Sequence, residues 1–485
     1  MNPYSSSRVI PILAVAPVGR PAASMSMYRA EPKIHARSVT GWFARWRWAM
    51  VWLTQGFFYA MPWLQWNGRQ AMLFNLETRR FYVMGPVLYP QDLIYLMALL
   101  VISALALFLF TAMAGRLWCG YACPQTVYTE VFMWIERRIE GDRTARIRLD
   151  QSAWGVAKTT RRGAKHLAWL GVGLMTGITF VGYFTPMRTL APDLLHLSAS
   201  PWFVFWIAFY GLALYGNAGF LREQMCKYIC PYARFQSALI DKDSMVIAYD
   251  SARGDPRGSR SRSASAADHG LGDCLDCTLC VQVCPTGIDI RNGLQNECIA
   301  CAACIDACDG VMSKVGYAKG LIRYATENGV ANGWTRVQMI RRAFRPRTLV
   351  YSMMLVTASA AFAASLAMRS PFKFSVIKDR GALARVVERG AVENVYRVQL
   401  MNRTETTMTY RITAHGPEGL TLAAPEVTVE PTAMEFAIVT AKLPFERTAG
   451  LEGRSTPIAF EVSAVSHGTA VGQAQQERSI FYVPR

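Results

Sequence analysis

The chain has 485 residues, 52% of them hydrophobic and 18% charged. That excludes an intrinsically disordered chain and argues against an ordinary soluble globule, which carries about 25% charged residues. Lys and Arg outnumber Asp and Glu by 52 to 34, a net +18 that suits nucleic acid or an anionic membrane face.

From the N-terminus, residues 1–40 read as a flexible cytoplasmic tail. The apolar stretch at 10–18 is broken by two prolines and has no cleavage pattern of a secretory signal. Five apolar runs follow at 48–66, 93–114, 167–184, 202–220 and 349–368, each near the roughly 20 residues that cross a bilayer. The first is the weakest, with Gln55 and Gln65 inside it. Between them the cations are uneven. Residues 1–47, 115–165 and 222–347 together hold 34 bases and 19 acids, whereas the other two connections hold only Arg69, Arg79, Arg80 and Arg188 as bases. The bias of Lys and Arg toward the cytoplasm places the N-terminus and both long loops inside and everything after the fifth span outside. Most of the +18 is then a topology signal, and nucleic-acid binding is not needed to explain it.

All 12 cysteines fall in the segments assigned to the cytoplasm, where thiols stay reduced and a disulfide framework is not expected. Two groups have the form Cys-x3-Cys-Pro: Cys119 and Cys123 before Pro124, and Cys226 and Cys230 before Pro231. Tyr121 matches Tyr228 and Tyr128 matches Phe235, so the unit span–span–Cys-x3-Cys-Pro occurs twice, as a parallel internal repeat. The proline disfavours helix at the second cysteine, so each motif should cap or kink its helix. A four-span bundle over 41–240 can bring the four thiols together. Soft thiolates suit copper, as Cu(I), or a third iron–sulfur cluster, and the spacing leaves both open.

The other two groups are Cys274-x2-Cys277-x2-Cys280-x3-Cys284 and Cys298-x2-Cys301-x2-Cys304-x3-Cys308. This is the spacing of a bacterial two-cluster ferredoxin, in which the fourth cysteine of each run serves the other cluster. Cys274, Cys277, Cys280 and Cys308 are assigned to one 4Fe–4S cluster, and Cys284, Cys298, Cys301 and Cys304 to the second. Paired zinc sites more often show separated Cys-x2-Cys pairs. These runs define a cytoplasmic dicluster domain over 241–345, with a Ser-, Arg- and Gly-rich linker at 251–270.

No Cys-x-x-Cys-His occurs, which excludes covalent haem on motif grounds, and His166 and His196 read as ordinary interfacial histidines. Met25, Met27, Met353 and Met354 read as non-ligands. A helix at 131–140 is expected at the interface. Glu130, Glu136 and Glu140 on or beside it read as solvated charges rather than a proton relay. After a fifth transmembrane helix at 346–370, residues 371–485 alternate in short β patterns at 394–401, 407–414, 420–429, 436–443, 457–465 and 479–483. They fit a periplasmic immunoglobulin-like sandwich acting as a docking module. Asn402-Arg403-Thr404 matches a glycosylation sequon, a weak signal.

The sequence resembles the cytochrome c oxidase accessory family called CcoG, FixG or RdxA. The likeness rests on KIHARSVTGWFARWRW at 33–48, RRFYVMGPVLYPQDL at 79–93 and GRLWCGYACPQTVYTEVFMWIERRIEGDR at 115–143. It continues with MCKYICPYARFQSALID at 225–241, GLGDCLDCTLCVQVCPTGIDIRNGLQNECIACAACIDACD at 270–309 and GLIRYATENG at 320–329. The resemblance implies a multi-pass protein of the bacterial inner membrane with two 4Fe–4S clusters. It implies assembly of cbb3-type cytochrome oxidase and reduction of Cu(II) to Cu(I), in which Cys119, Cys123, Cys226 and Cys230 are the candidate copper or redox thiolates. Copper transporters or chaperones and oxidase assembly factors are the implied partners, beside membrane lipid, an unidentified electron donor and room for a homodimer. A quinol-linked membrane ferredoxin and a non-catalytic assembly scaffold are the two competing functional readings.

Overall fold

The computed structural model describes residues 33–260, 270–379, 381, 383–423, 426–466 and 469–484. Helix α1 (Trp42–Ala60) leads through a turn at Met61–Trp63 into small antiparallel hairpins, Gln65–Trp66 with Arg69–Gln70 and then Met72–Asn75, Arg80–Val83 and Val87–Leu88. Next come α2 (Leu93–Ala114), α3 (Leu117–Tyr121), α4 (Pro124–Ile139), α5 (Arg143–Gln151), α6 (Val156–Val181), α7 (Met187–Leu195), α8 (Pro201–Gly216) and α9 (Pro231–Leu239). Helix α10 (Ala303–Val315) belongs to the cysteine-rich module, and α11 (Pro346–Ala367) leads to the C-terminal strands.

Among the described residues four helical stretches are long and apolar enough to cross a membrane: Pro90–Ala114, Val156–Val181, Pro201–Leu221 and Pro346–Ala367. Helix α1 falls short of that measure. It begins six residues before the expected run, so it takes in Arg45 and Arg47, and it ends at Ala60 because Pro62 starts a tighter turn. Helices α6 and α8 pack backbone to backbone: a Cβ on Gly177 would lie 2.3 Å from the Ile207 carbonyl, and one on Gly173 2.6 Å from that of Gly211. Small residues allow that approach where no hydrophobic effect drives helices together. Helices α2 and α11 run antiparallel, joined by Tyr95 against Phe362 at one end and by Arg345 donating to the Ala112 carbonyl at the other.

The cysteine-rich module docks at the end of the bundle where α2 finishes. The Met245 N–H donates to the Met113 carbonyl, and Val246–Tyr249 pairs with Ile322–Ala325. The module also grips α1. The Asp306 carboxylate accepts from the backbone N–H groups of Phe43 and Ala44, so a residue of α10 caps the first turn of α1, and Gly41 makes room for it.

At the opposite end stands a two-sheet sandwich. One sheet orders Thr421–Ala423, Met434–Leu443, Val392–Asn402 and Phe372–Lys378, with Arg385–Val386 also pairing with Val392–Asn402. The other orders Val427–Val429, Met408–His415, Ser455–Ser466 and Thr469–Tyr482. Alternate residues of both sheets, including Tyr396, Val398, Leu400, Tyr410, Val439 and Phe460, fill a common core. The expected strand at 420–429 is two short strands in different sheets, and Phe372–Lys378 and Arg385–Val386 are strands without a clear alternating signal. Asn402 is fully buried, its amide donating to the carbonyls of Thr406, Val429 and Glu430, so it is structural and not a glycan acceptor.

Two expectations of flexibility need correction. Within the expected tail, residues 33–40 form a strap: Arg37 N–H donates to the Gln282 carbonyl, Ser38 N–H to Asp142, and Arg143 to the His35 carbonyl. Residues 1–32, with Met25 and Met27, lie outside the described residues. The expected linker is ordered through residue 260. Ser251–Gly254 is a helical turn capped by Asp250, and Arg253 bonds Asp273 and the carbonyls of Ala318 and Lys319. Arg253, Arg257 and Arg260 are used internally, which composition alone does not reveal; residues 261–269 lie outside the described residues.

Candidate functional site

The two runs of closely spaced cysteines fold alike. In each, the residues on both sides of the central cysteine have left-handed backbone: Asp276 and Thr278 around Cys277 (φ 51° and 55°), Ala300 and Ala302 around Cys301 (φ 55° and 59°). Non-glycine residues rarely adopt this conformation, which costs about 1–2 kcal/mol each, so four matched cases mark a shape the fold enforces. The chain thereby curls, and the third cysteine of each run enters a helix, Cys280 in Leu279–Gln282 and Cys304 in α10. Cys308 follows one turn after Cys304.

Two cavities result. One is lined by Cys274, Cys277, Cys280 and Cys308 with Tyr249, Leu321 and Met312. The other is lined by Cys284, Cys298, Cys301 and Cys304, by Cys280, and by Ile247, Ile290 and Ile299. The last cysteine of each run thus stands with the first three of the other run. Four soft donors on apolar walls fit an iron–sulfur cluster. Among the described residues no group of three or more His, Cys, Asp or Glu is closed up around a single ion, either in these cavities or among Cys119, Cys123, Cys226 and Cys230. Burial pushes the Cys280 thiol up to about 11 and the Cys308 thiol up to about 12. Ligation of these cysteines to the cationic core of a cluster would reverse that preference.

Beside the second cavity lie the other four cysteines. In the first copy, Gly115 turns the chain at the end of α2, α3 carries Cys119, and Cys123 is extended (ψ 127°) as the residue before Pro124 opens α4. In the second, α8 passes into wider π-helical turns at Asn217–Leu221 and Met225–Ile229, the latter carrying Cys226. Cys230 is again extended (ψ 111°) before Pro231 opens α9. In both copies the proline ends one helix and starts the next, as the sequence implies. The Cys119 Sγ contacts the Gln236 Oε1 of α9 at 3.4 Å, linking the copies. Burial raises the Cys119 thiol to about 11, with Cys123 and Cys230 adding to the rise and Gln236 and Arg116 opposing it. Burial raises Cys226 to about 12, with Cys123, Cys119 and Cys230 adding. The four thiols therefore share one neighbourhood.

That neighbourhood adjoins the second cavity. Cys119 and Cys226 pack against Val283, Ile299, Cys301 and Ala303. A Cβ on Gly120 would lie 2.7 Å from the Ile299 carbonyl, so only glycine lets α3 come this close to the Cys298–Cys301 loop. A further crevice reaches Cys226 between the strap and α4, lined also by Thr129, Glu130, Arg47 and Glu223.

Sequence reasoning missed the polar groups that hold this junction: Arg47, Arg116, Asp306 and Tyr324, whose hydroxyl donates to the Ala300 carbonyl at 2.6 Å. Arg116 stands three residues before Cys119, the nearest thing to a signal for it. The remaining candidates have structural partners. The glutamates expected to be solvated are instead in shielded ion pairs: Glu136, 2% exposed, with Arg146 and Arg222, Glu140, 4% exposed, with Lys165, and half-buried Glu130 with Arg47. His166 Nδ1 bonds the Tyr215 hydroxyl, and Met353 and Met354 lie exposed on α11.

Three family models match. A 4Fe–4S dicluster domain covers residues 221–327, a 4Fe–4S binding domain covers 96–141, and the Ig-like fold found at the C-terminus of FixG covers 362–484. The nitrogen fixation protein FixG of Rhizobium meliloti is 39% identical over 427 residues, 82% of this chain and 82% of its own length. Protein RdxA of Cereibacter sphaeroides is 39% identical over 407 residues, 82% of this chain and 85% of its own. The ferredoxin-type protein NapH of Haemophilus influenzae is 25% identical over 225 residues, 44% of this chain and 66% of its own. The crystal structure of a FixG-related protein from Vibrio parahaemolyticus aligns with 24% of this chain and 98% of its own at 22% identity, with a TM-score of 0.20.

Proposed function

The chain belongs to the FixG/RdxA family of iron–sulfur proteins, and on that premise we propose that it is a membrane-bound electron-transfer protein that reduces Cu(II) to Cu(I) during assembly of a cbb3-type cytochrome oxidase. The observation that carries the reading is the packing of Cys119 and Cys226 against the wall of the second cysteine cavity. Cys274, Cys277, Cys280 and Cys308 would hold one 4Fe–4S cluster, and Cys284, Cys298, Cys301 and Cys304 the other. Such clusters, when bound, take up and release single electrons. Cys119, Cys123, Cys226 and Cys230 receive the cupric substrate, which gains one electron and becomes the cuprous ion that thiolates favour. The cavity past Glu130 and Glu223 offers the ion a path to Cys226.

The module and the sandwich occupy opposite ends of the same helices, and the basic loops lie at the module's end. This supports a cytoplasmic module and a periplasmic sandwich in the bacterial inner membrane. Helix α1 serves as a fifth span: it reaches from Asp306 at the module to Thr176 and Tyr183 near the far end of α6, through Tyr59 and the Phe58 carbonyl. The sandwich is the surface for copper transporters, chaperones or assembly factors.

A third 4Fe–4S cluster is the competing occupant of the four-cysteine cleft, favoured by the 4Fe–4S binding match over 96–141, which contains Cys119 and Cys123. Iron and sulfide on anaerobically purified protein separate the two, with about eight irons for two clusters and about twelve for three. Cupric reduction is then followed with a cuprous chelator after reduction by dithionite. Serine at any of the four cleft cysteines is expected to lower the rate at least tenfold. Wild-type rates in all four variants would overturn the assignment.

A further inference from the structure

Arg116 is buried, at 7% exposure, in the turn between α2 and α3. Its guanidinium donates to two carbonyls in different parts of the fold. One is Ala233 in α9, at 2.8 Å, three residues after Cys230; the other is Asn296, two residues before Cys298. Arg116 itself precedes Cys119 by three residues. One side chain therefore ties together the three cysteine-bearing segments that meet at the junction. Its planar fork suits two divergent acceptors, which a lysine ammonium cannot span in the same way.

The charge is as telling as the geometry. Among the described residues no carboxylate lies within ion-pair distance of Arg116. Asp241 and Glu327 line the cavity that Arg116 shares with Cys298, but Asp241 is taken by Arg345 and Arg347, and Glu327 by Lys242. A buried cation is costly unless something anionic compensates it. The Cys298 sulfur, which lines the same cavity, and the Cys119 and Cys226 sulfurs, whose thiolates the Arg116 charge favours, are the groups placed to do so.

We propose that Arg116 is the positioning residue for electron transfer between the second cluster and the four-cysteine cleft. It fixes the three segments in register and, as an unpaired buried cation, favours the reduced state of the second cluster over that of the first. The proposal rests on the two-cluster reading above. The electron it concerns leaves the second cluster, which is oxidised by one unit, and is taken by the cupric ion, which is reduced by one.

The test is a potentiometric titration, followed by electron paramagnetic resonance, of the full-length protein in lipid nanodiscs. Wild type is compared with Arg116→Met and Arg116→Lys, with iron content measured on each. Arg116→Met is expected to disfavour reduction of one cluster about tenfold, about 59 mV for one electron, and to leave the other in place. Arg116→Lys is expected to restore that midpoint yet slow single-turnover copper reduction at least fivefold. Two unmoved midpoints, or two that move together, overturn the charge role; unchanged turnover in Arg116→Lys overturns the positioning role. Should methionine prevent cluster loading, the lysine variant alone decides by its turnover. Wild type with far fewer irons than two clusters need would instead overturn the underlying reading.

Discussion

Gly120 and Asp306 make the junction possible, and neither carries the chemistry. Gly120 is needed because the Ile299 and Ala300 carbonyls occupy the space of a side chain. Gly120→Val is expected to push α3 off the Cys298–Cys301 loop and slow copper reduction at least tenfold while iron content holds. Equal loss of iron and rate would mean that the glycine serves cluster binding instead. Asp306 caps α1 from another part of the chain. Asp306→Ala removes both acceptors and is expected to cost about 1–2 kcal/mol, read as a lower melting temperature and faster hydrogen exchange at Phe43 and Ala44. The twelve cysteines and their division into groups were legible from spacing. The groups that bring them together were not, because a capping aspartate and a glycine at a close approach leave no local pattern.

At the scale of elements, the start of α2 is where bundle and sandwich are tied together. Asp92, 6% exposed, accepts from Arg369 at the end of α11 and from Arg403 in the sandwich, while the Tyr89 hydroxyl donates to the carbonyls of Asn402 and Thr432. Asp92→Asn leaves two buried guanidiniums without their counter-charge. A broken buried pair of this kind costs about 3–5 kcal/mol. The expected result is a lower melting temperature and increased hydrogen exchange around 400–404, with the iron content untouched; an unchanged melt would remove the clamp from the account. The long apolar helices were legible because their composition is uniform over about 20 residues. The hairpins at 65–88 were not, since strands of two to four residues carry too little alternation to register.

For the whole molecule, the decisive arrangement is that the module and the sandwich lie at opposite ends of one helical bundle. Every native cysteine lies at the module's end or in the turns leading to it. A membrane-impermeant thiol reagent is therefore expected to leave the wild-type protein unmodified in intact cells and to modify Arg447→Cys, at an exposed turn of the sandwich. Labelling of wild type without permeabilisation would reverse the proposed orientation. Deleting 374–485 is expected to leave iron content and copper reduction within about twofold of wild type while oxidase assembly fails. Loss of copper reduction with full iron content would make the sandwich part of the reductase.

The sequence by itself determined the broad class, the long apolar helices, the β-rich C-terminal domain and the two kinds of cysteine motif, because hydrophobic period and ligand spacing are local properties. Spacing also assigned the fourth cysteine of each run to the other run's cluster, and the structure places it in that cavity. Only the tertiary structure decided that the two Cys-x3-Cys-Pro motifs meet against the second cavity, and that Arg116 reaches carbonyls 117 and 180 residues further along the chain. Those facts depend on contacts between distant parts of the chain. Distant contacts are fixed by close backbone approach and by the satisfaction of buried polar groups, for which composition and periodicity carry no record.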